Sequence, residues 1–401
     1  MKSDFGIKRE RSHLSLAIGS VLLLLIVGII VWATTLQREN VPIKNLKNST
    51  SKQTSAKVSA ATSRWMFMGD IFFGRYIDDW SKASDLKEKY PFQRLHEFDR
   101  NQYNAWIANF ECPAADGVNM TSAQMDQALS FNCPPRYLPE VAQWFTAVSL
   151  GNNHTDNQGV EAFKQTQQNL AKQGIQYFGA YDPRDHETVC NVVVLDFVIK
   201  YDSGQKIAGL PVGLCGYNAV FRIPTDQDIA VIIEYADTMP TFVMPHMGVE
   251  YKTGPDELRV TTYHKMIDAG AEMVIGNHPH YIQPTEAYKG KFIIYSMGNF
   301  IFDQQVRPEK TRSAMIDVRL HAQNAEAVDG WEKIAASCKN NFTECQRLAK
   351  SKNLPKLAFT YKFDMHGSED SNKLVRSANE SELQSIKQRL NWDATMHALG
   401  Q

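Results

Sequence analysis

The sequence predicts a layered α/β domain. Short apolar, strand-like runs alternate with amphipathic helical segments from about residue 64 to 320. Five of those runs lead into loops that carry Asp, Glu, Asn or His. With 401 residues and 43% hydrophobic content, the chain can bury one core of moderate size and still carry a shorter tail. Its formal charge of −1 offers no basic face, so nucleic acid is not an expected partner.

From the N-terminus, residues 14–33 contain no charge and are long enough to cross a hydrocarbon core of about 30 Å. A cleaved leader is the rival, but Trp32-Ala33-Thr34-Thr35 is a poor cleavage site. The expectation is therefore an uncleaved transmembrane anchor, with residues 1–13 cytoplasmic and the rest single-pass and extracytoplasmic. Lys2, Lys8, Arg9 and Arg11 precede this span, but Arg38, Lys44, Lys47 and Lys52 follow it, so charge orients it only weakly. Residues 34–63 are rich in Ser, Thr, Lys, Asn and Gln and read as a flexible stalk.

Within 64–320, strands are expected at 65–68, 105–108, 147–150, 192–195, 229–233, 241–244, 273–275, 292–295 and 314–320. Helices are expected at 160–172, stopped by Gly174, and at 258–269, stopped by Gly270. Residues 321–401 are polar and helix-leaning and read as a helix-rich C-terminal appendage. Six cysteines form an even set without a C-x-x-C pair. Cys338 and Cys345 flank a polar loop that a local disulfide would close, while six reduced, buried thiols remain the alternative.

The chemistry lies where the runs end, at Gly69-Asp70, Asn109-Phe110-Glu111, Gly151-Asn152-Asn153-His154, Pro245-His246-Met247-Gly248 and Gly276-Asn277-His278-Pro279-His280. A strand that ends in a ligand-bearing loop holds its side chains rigidly, as a metal site requires. Asp70 offers an oxygen, Glu111 a bridging carboxylate, Asn153 an amide oxygen, and His246, His278 and His280 imidazole nitrogens. His154 is placed to contact a phosphate or protonate a leaving oxygen, so His154 and Asp70 are the catalytic candidates. Taken singly, Asp70 is a turn residue and Glu111 a surface acid. Two histidines at i and i+2 beyond a buried strand are harder to read that way. The donor set suits a divalent metal, with zinc, manganese and iron equally compatible.

These stretches, extended by Met68–Arg75, Ser149–Gly159, His246–Tyr251, Asp268–His280 and Ile294–Asp303, resemble the CapA-type poly-γ-glutamate capsule biosynthesis family, which is related to calcineurin-like metallophosphoesterases. The resemblance covers about residues 65–320. It implies a four-layer α/β/β/α metallophosphoesterase-like sandwich and a role in making or exporting poly-γ-glutamate with membrane-embedded partner subunits. The chain departs from the wider superfamily where Asp70 is followed by Ile71 and Phe72 instead of Asp-x-His. One metal position would then be complete, with Glu111, Asn153, His246 and His278. The other would keep Asp70, Glu111 and His280 and lack one imidazole. Met247 stands where the family resemblance leads one to expect Trp. Two functions are carried forward: a metal-binding capsule component, and an active metal-dependent hydrolase of phosphoesters or of the polymer's amides.

Overall fold

The computed structural model describes residues 57–401, which fall within one compact unit. Its architecture is a mixed α/β fold built on fourteen strands among the described residues. In chain order these are β1 (Val58–Ile71), β2 (Ala105–Phe110), β3 (Ala147–Ser149), β4 (Gln176–Phe178), β5 (Cys190–Tyr201), β6 (Gly204–Asn218) and β7 (Thr241–His246). They continue with β8 (Met273–Ile275), β9 (Ile282–Tyr288), β10 (Lys291–Met297), β11 (Asn299–Ile301), β12 (Arg312–Ala322), β13 (Phe359–Glu369) and β14 (Arg376–Ser377).

The organising element is β1, which changes partners along its length. Its first residues, Val58 to Thr62, pair antiparallel with β5, and Trp65 to Ile71 pair parallel with β2. Along the other edge, Thr62 to Phe67 pair antiparallel with β12, and Asp70 and Ile71 pair parallel with β11. Parallel pairs extend from β2 through β3 to β4. Beyond β5 the order is β6, β7, β8, β10 and β9.

Side chains on alternate residues of β1 and β2 enter two different cores, as the period of two requires. Trp65, Phe67, Ala105 and Ile107 join Val192, Leu214 and Val243. Met66, Met68, Trp106 and Ala108 join Leu138 and Val141 of one helix and Phe163 and Leu170 of another.

Most expected elements are present, including the helix Val160–Lys172, and Glu257–Asp268 lies within a residue of its expected bounds. One is reversed. Residues 229–233, expected as a strand, lie inside the helix Asp226–Thr238. The Thr225 side chain accepts from the Asp228 N–H and the Asp228 side chain from the Thr225 N–H, so a reciprocal cap starts the helix. That cap and burial of Ile229, Ile232 and Tyr235 on one face override the β-branched composition.

The ends also differ from expectation. β1 begins at Val58, six residues before the expected start of the domain, because Val58, Ala61 and Ser63 are buried. The polar C-terminal region is not wholly helical. β13 is an 11-residue strand paired along its whole length with β12, and the helix Glu380–Leu390 packs its buried Ile386 and Leu390 into the main core.

The single-pass membrane placement is corrected here. No helix among the described residues is long and apolar enough to cross a membrane. Residues 14–33, on which that placement rested, and the stalk up to residue 56 lie outside the described residues.

All six cysteines are paired, as Cys112–Cys133, Cys190–Cys215 and Cys338–Cys345. The last is the local loop closure that the spacing allowed. Cys190 and Cys215 are directly opposite each other in the β5–β6 ladder.

Candidate metal centre

The five loops converge. β1, β2, β3, β7 and β8 each end at the same place, and the side chains beyond them meet there. Asp70 is aimed inward by an irregularity: the register of β1 shifts between Asp70 and Ile71 against β11, and between Phe67 and Asp70 against β2. Within β1, Gly69 leaves no room for a side chain, since a Cβ there would lie 1.8 Å from the Gly298 carbonyl oxygen. The loop after β7 turns at Gly248, whose φ of +118° is a conformation that side-chain-bearing residues rarely adopt. Met247 is buried there, and its carbonyl accepts from the buried Arg259 Nη1 at 2.8 Å.

Asp70, Glu111 and His246 form one buried group whose ligand atoms lie within 4.8 Å of one another. His246 Nε2 stands 2.8 Å from Asn153 Oδ1, 3.1 Å from His278 Nδ1 and 3.6 Å from Glu111 Oε1. His280 Nε2 is 3.7 Å from the same Glu111 oxygen, and its Nδ1 is 2.7 Å from Asn299 Oδ1. All seven residues singled out from the sequence are thus brought together, and His280 Nδ1 also stands 3.6 Å from Asp70 Oδ2. The donors group as Asp70 with Glu111 and His246, and as His278 and His280 with Glu250.

Burial governs the charge of the site. It pushes the Asp70 carboxyl up to about 7, against the hydrogen bond from Asn109. It raises Glu111 well above the carboxylate range, and the neighbouring Asp70 adds to the rise. The imidazoles move the other way for the same reason. His246 and His278 fall well below their usual value, and His280 falls to about 3.

Both carboxylate oxygens of Glu111 and Oδ2 of Asp70 are buried without a hydrogen-bond partner. Leaving such groups ionised and unpaired costs several kcal/mol, which protonation or a bound cation would relieve. Carboxylate, amide oxygen and imidazole donors fit a divalent cation, which would restore the ionised carboxylates.

His154 stands beside this group, at the wall of a cleft of about 600 Å³ that is also lined by Arg75, Asn153, Glu250, Tyr251, His278 and His280. Its Nδ1 lies 2.9 Å from Asn157 Oδ1, an oxygen that also accepts from the Phe131 N–H. Nδ1 therefore carries the proton, and Nε2, 3.2 Å from Asn153 Nδ2, is the basic nitrogen. Burial lowers the imidazole to about 4.

Three residues beneath the site were missed from the sequence. Asn109 Nδ2 lies 2.8 Å from Asp70 Oδ1 and 3.2 Å from His246 Nδ1. Asn152 Nδ2 donates to Asn109 Oδ1 at 3.2 Å and to the Phe110 carbonyl at 2.8 Å. Asn299 orients His280. Asn109 and Asn152 sit inside the Asn-Phe-Glu and Gly-Asn-Asn-His stretches, so their position was the available signal. Glu250, in the stretch after His246, was likewise passed over as a donor.

A family model described as bacterial capsule synthesis protein PGA_cap matches residues 64–210 and 221–304, more than half of the chain. The chain is 29% identical over 257 residues to the PGA biosynthesis protein CapA of Bacillus subtilis, covering 59% of this chain and 63% of that protein. It is 24% identical over 332 residues to the capsule biosynthesis protein CapA of Bacillus anthracis, covering 77% of this chain and 74% of that protein. A probable polyglutamine synthesis accessory protein of Mycobacterium tuberculosis is 29% identical over 173 residues, which is 39% of this chain and 45% of the relative. The chain thus spans less than two thirds of the Bacillus subtilis relative.

Proposed function

We propose, for a chain that belongs to the bacterial capsule synthesis protein family PGA_cap, that it serves poly-γ-glutamate synthesis through a site built to hold a divalent metal. The relatives' names support the polymer and association with its synthesis machinery. The observation that carries the metal is the buried carboxylate pair Asp70 and Glu111, three of whose four oxygens have no hydrogen-bond partner, set beside the imidazoles of His246, His278 and His280. Asp70, Glu111, Asn153, His246, His278 and His280 would hold it. When bound, such an ion supplies Lewis acidity toward a carbonyl or phosphoryl oxygen. The four-layer arrangement belongs to the same reading and is supported by the alternation of β1 and β2 between two cores.

A second reading, an active hydrolase, is favoured by His154. Its Nδ1 proton is committed to Asn157, so Nε2 can take a proton from a group in the cleft. Asn153 would steady that nitrogen while its oxygen faces His246. Arg75, clamped by Asp303 at 2.6 and 2.9 Å, places a fixed positive charge on the same wall.

The test is metal content by elemental mass spectrometry on the purified full chain, beside His246→Ala. Bound zinc, manganese or iron that is lost in the variant is the expected result. A wild-type chain that takes up no metal even when loaded with zinc or manganese would sink this reading.

A further inference from the structure

We infer that Glu250 is a ligand of a second, cleft-side cation position, which it completes with His278 and His280. The inference rests on the metal reading above and extends it from one ion to two. The geometry is that of two donor groups sharing one wall. A Glu250 carboxylate oxygen and one nitrogen each of His278 and His280 lie within 4.8 Å of one another, as do the ligand atoms of Asp70, Glu111 and His246. The groups abut, with His278 Nδ1 at 3.1 Å from His246 Nε2 and His280 Nε2 at 3.7 Å from Glu111 Oε1. Glu111, with both oxygens free of hydrogen bonds, lies between the groups and is the carboxylate available to both.

Glu250 is held in register with the histidines by backbone bonds. The Met247 N–H donates to the Asn277 carbonyl at 3.2 Å and the Tyr251 N–H to the Pro279 carbonyl at 2.8 Å. The loop carrying Glu250 and the loop carrying both histidines are therefore tied at two points, and the Tyr251 ring stacks on His280. No competing donor is available after Asp70, since Ile71, Phe72 and Phe73 are wholly buried in the apolar core. Among the described residues, no Lys or Arg forms a salt bridge with Glu250. A carboxylate oxygen gathered with two imidazole nitrogens is a metal-ligand donor set, and the ammonium near enough to feel the Glu250 charge, Lys310, is turned onto the Tyr251 ring instead of pairing with it. The two positions also differ in access. Asp70, Glu111 and His246 are fully buried, whereas Glu250 is half-buried and lines the cleft, so the second ion would be the one that meets a ligand entering from solvent.

The experiment compares the full chain with Glu250→Gln, Glu250→Ala and Glu250→Asp after manganese loading, by elemental mass spectrometry and electron paramagnetic resonance. Circular dichroism confirms that each variant is folded. Paired metal sites stand about 3.5–4 Å apart, close enough for two manganese ions to couple magnetically. The expected result is about two equivalents and a coupled signal in the wild type, falling to about one equivalent and an isolated-ion signal in Glu250→Gln and Glu250→Ala, with partial recovery in Glu250→Asp. Equal metal content and an unchanged signal in Glu250→Gln would overturn the assignment and leave the one-ion reading standing. A wild type holding one equivalent that Glu250→Gln retains would overturn it as well. No metal in any sample would remove the underlying metal reading itself.

Discussion

Replacing Asn109 by Ala tests whether the layer beneath the ligands shapes the site. Its amide makes three buried contacts: Nδ2 to Asp70 Oδ1 at 2.8 Å, Nδ2 to His246 Nδ1 at 3.2 Å, and Oδ1 from Asn152 Nδ2 at 3.2 Å. All four residues are essentially inaccessible to solvent. Truncation removes three hydrogen bonds of about 1 kcal/mol net each, and leaves partners whose desolvation is no longer offset, at about 1–3 kcal/mol apiece. Since Asn152 keeps its bond to the Phe110 carbonyl, the cost falls mainly on Asp70 and His246, giving an expected loss of about 3–5 kcal/mol in the metal-free protein. Metal affinity is expected to fall about 10–100-fold, as when a group that orients a ligand is removed. Urea unfolding of the metal-free chain and competitive metal titration of the folded chain read the two effects separately. Stability within about 0.5 kcal/mol of wild type, with affinity within about twofold, would show that Asp70 and His246 hold their positions unaided and refute the reasoning.

Three further outcomes are expected. Gly69→Ala puts a methyl group 1.8 Å from the Gly298 carbonyl, so it should lower stability by about 2–3 kcal/mol and reduce metal content with it, read by thermal melting and elemental analysis. Cys112→Ser with Cys133→Ser opens a loop whose ends are 21 residues apart and should cost about 3 kcal/mol in urea; because Cys112 follows Glu111, metal affinity should drop as well. Acid sensitivity is expected at Glu382, whose carboxyl is held down to about 2, chiefly by its hydrogen bond with Arg376, with the Asn379 N–H assisting. A folded-state value below the unfolded one contributes stability that is present above pH 4.5 and lost as pH falls toward 2. Glu382→Gln should therefore be less stable than wild type at pH 6 and converge on it at pH 2; parallel curves would exclude that carboxylate as a source.

Much of the candidate site was legible because each loop carries its donors within two to four consecutive residues, directly after a buried strand. Order along the chain then stood in for proximity. What could not be read depends on pairing between distant segments. Asn109 and Asn152 lie within the motif stretches, but only the parallel β2–β3 register shows that one amide holds Asp70 and the next holds Asn109. Cys190 and Cys215 are joined through the β5–β6 register, which no spacing reveals. β6 was missed because Gly204, Gly209, Pro211, Gly213 and Gly216 dilute its strand signal. β13 alternates buried and exposed residues too irregularly to stand out from a helix-leaning background. The segment 229–233 was misread for the opposite reason. Its β-branched residues suggested a strand, and the cap at Thr225 that decides the matter lies outside the apolar run.

The strand β1 has a consequence for how this protein can be divided. A single backbone enters beside β5, crosses to β2 and β12, and ends on Asp70. Nicking it anywhere between Val58 and Ile71 would detach a ligand from one group of strands or an edge from the other, so β1 offers no seam along which the described residues could be exchanged or expressed as two halves. A truncation starting at Arg64, plausible from composition, would delete the part of β1 that pairs with β5 while leaving every expected metal donor in the chain. Such a fragment would carry the whole motif set yet lack one of the ladders that hold the motifs in register, and a failure to bind metal in that fragment would report on its missing edge, not on its ligands.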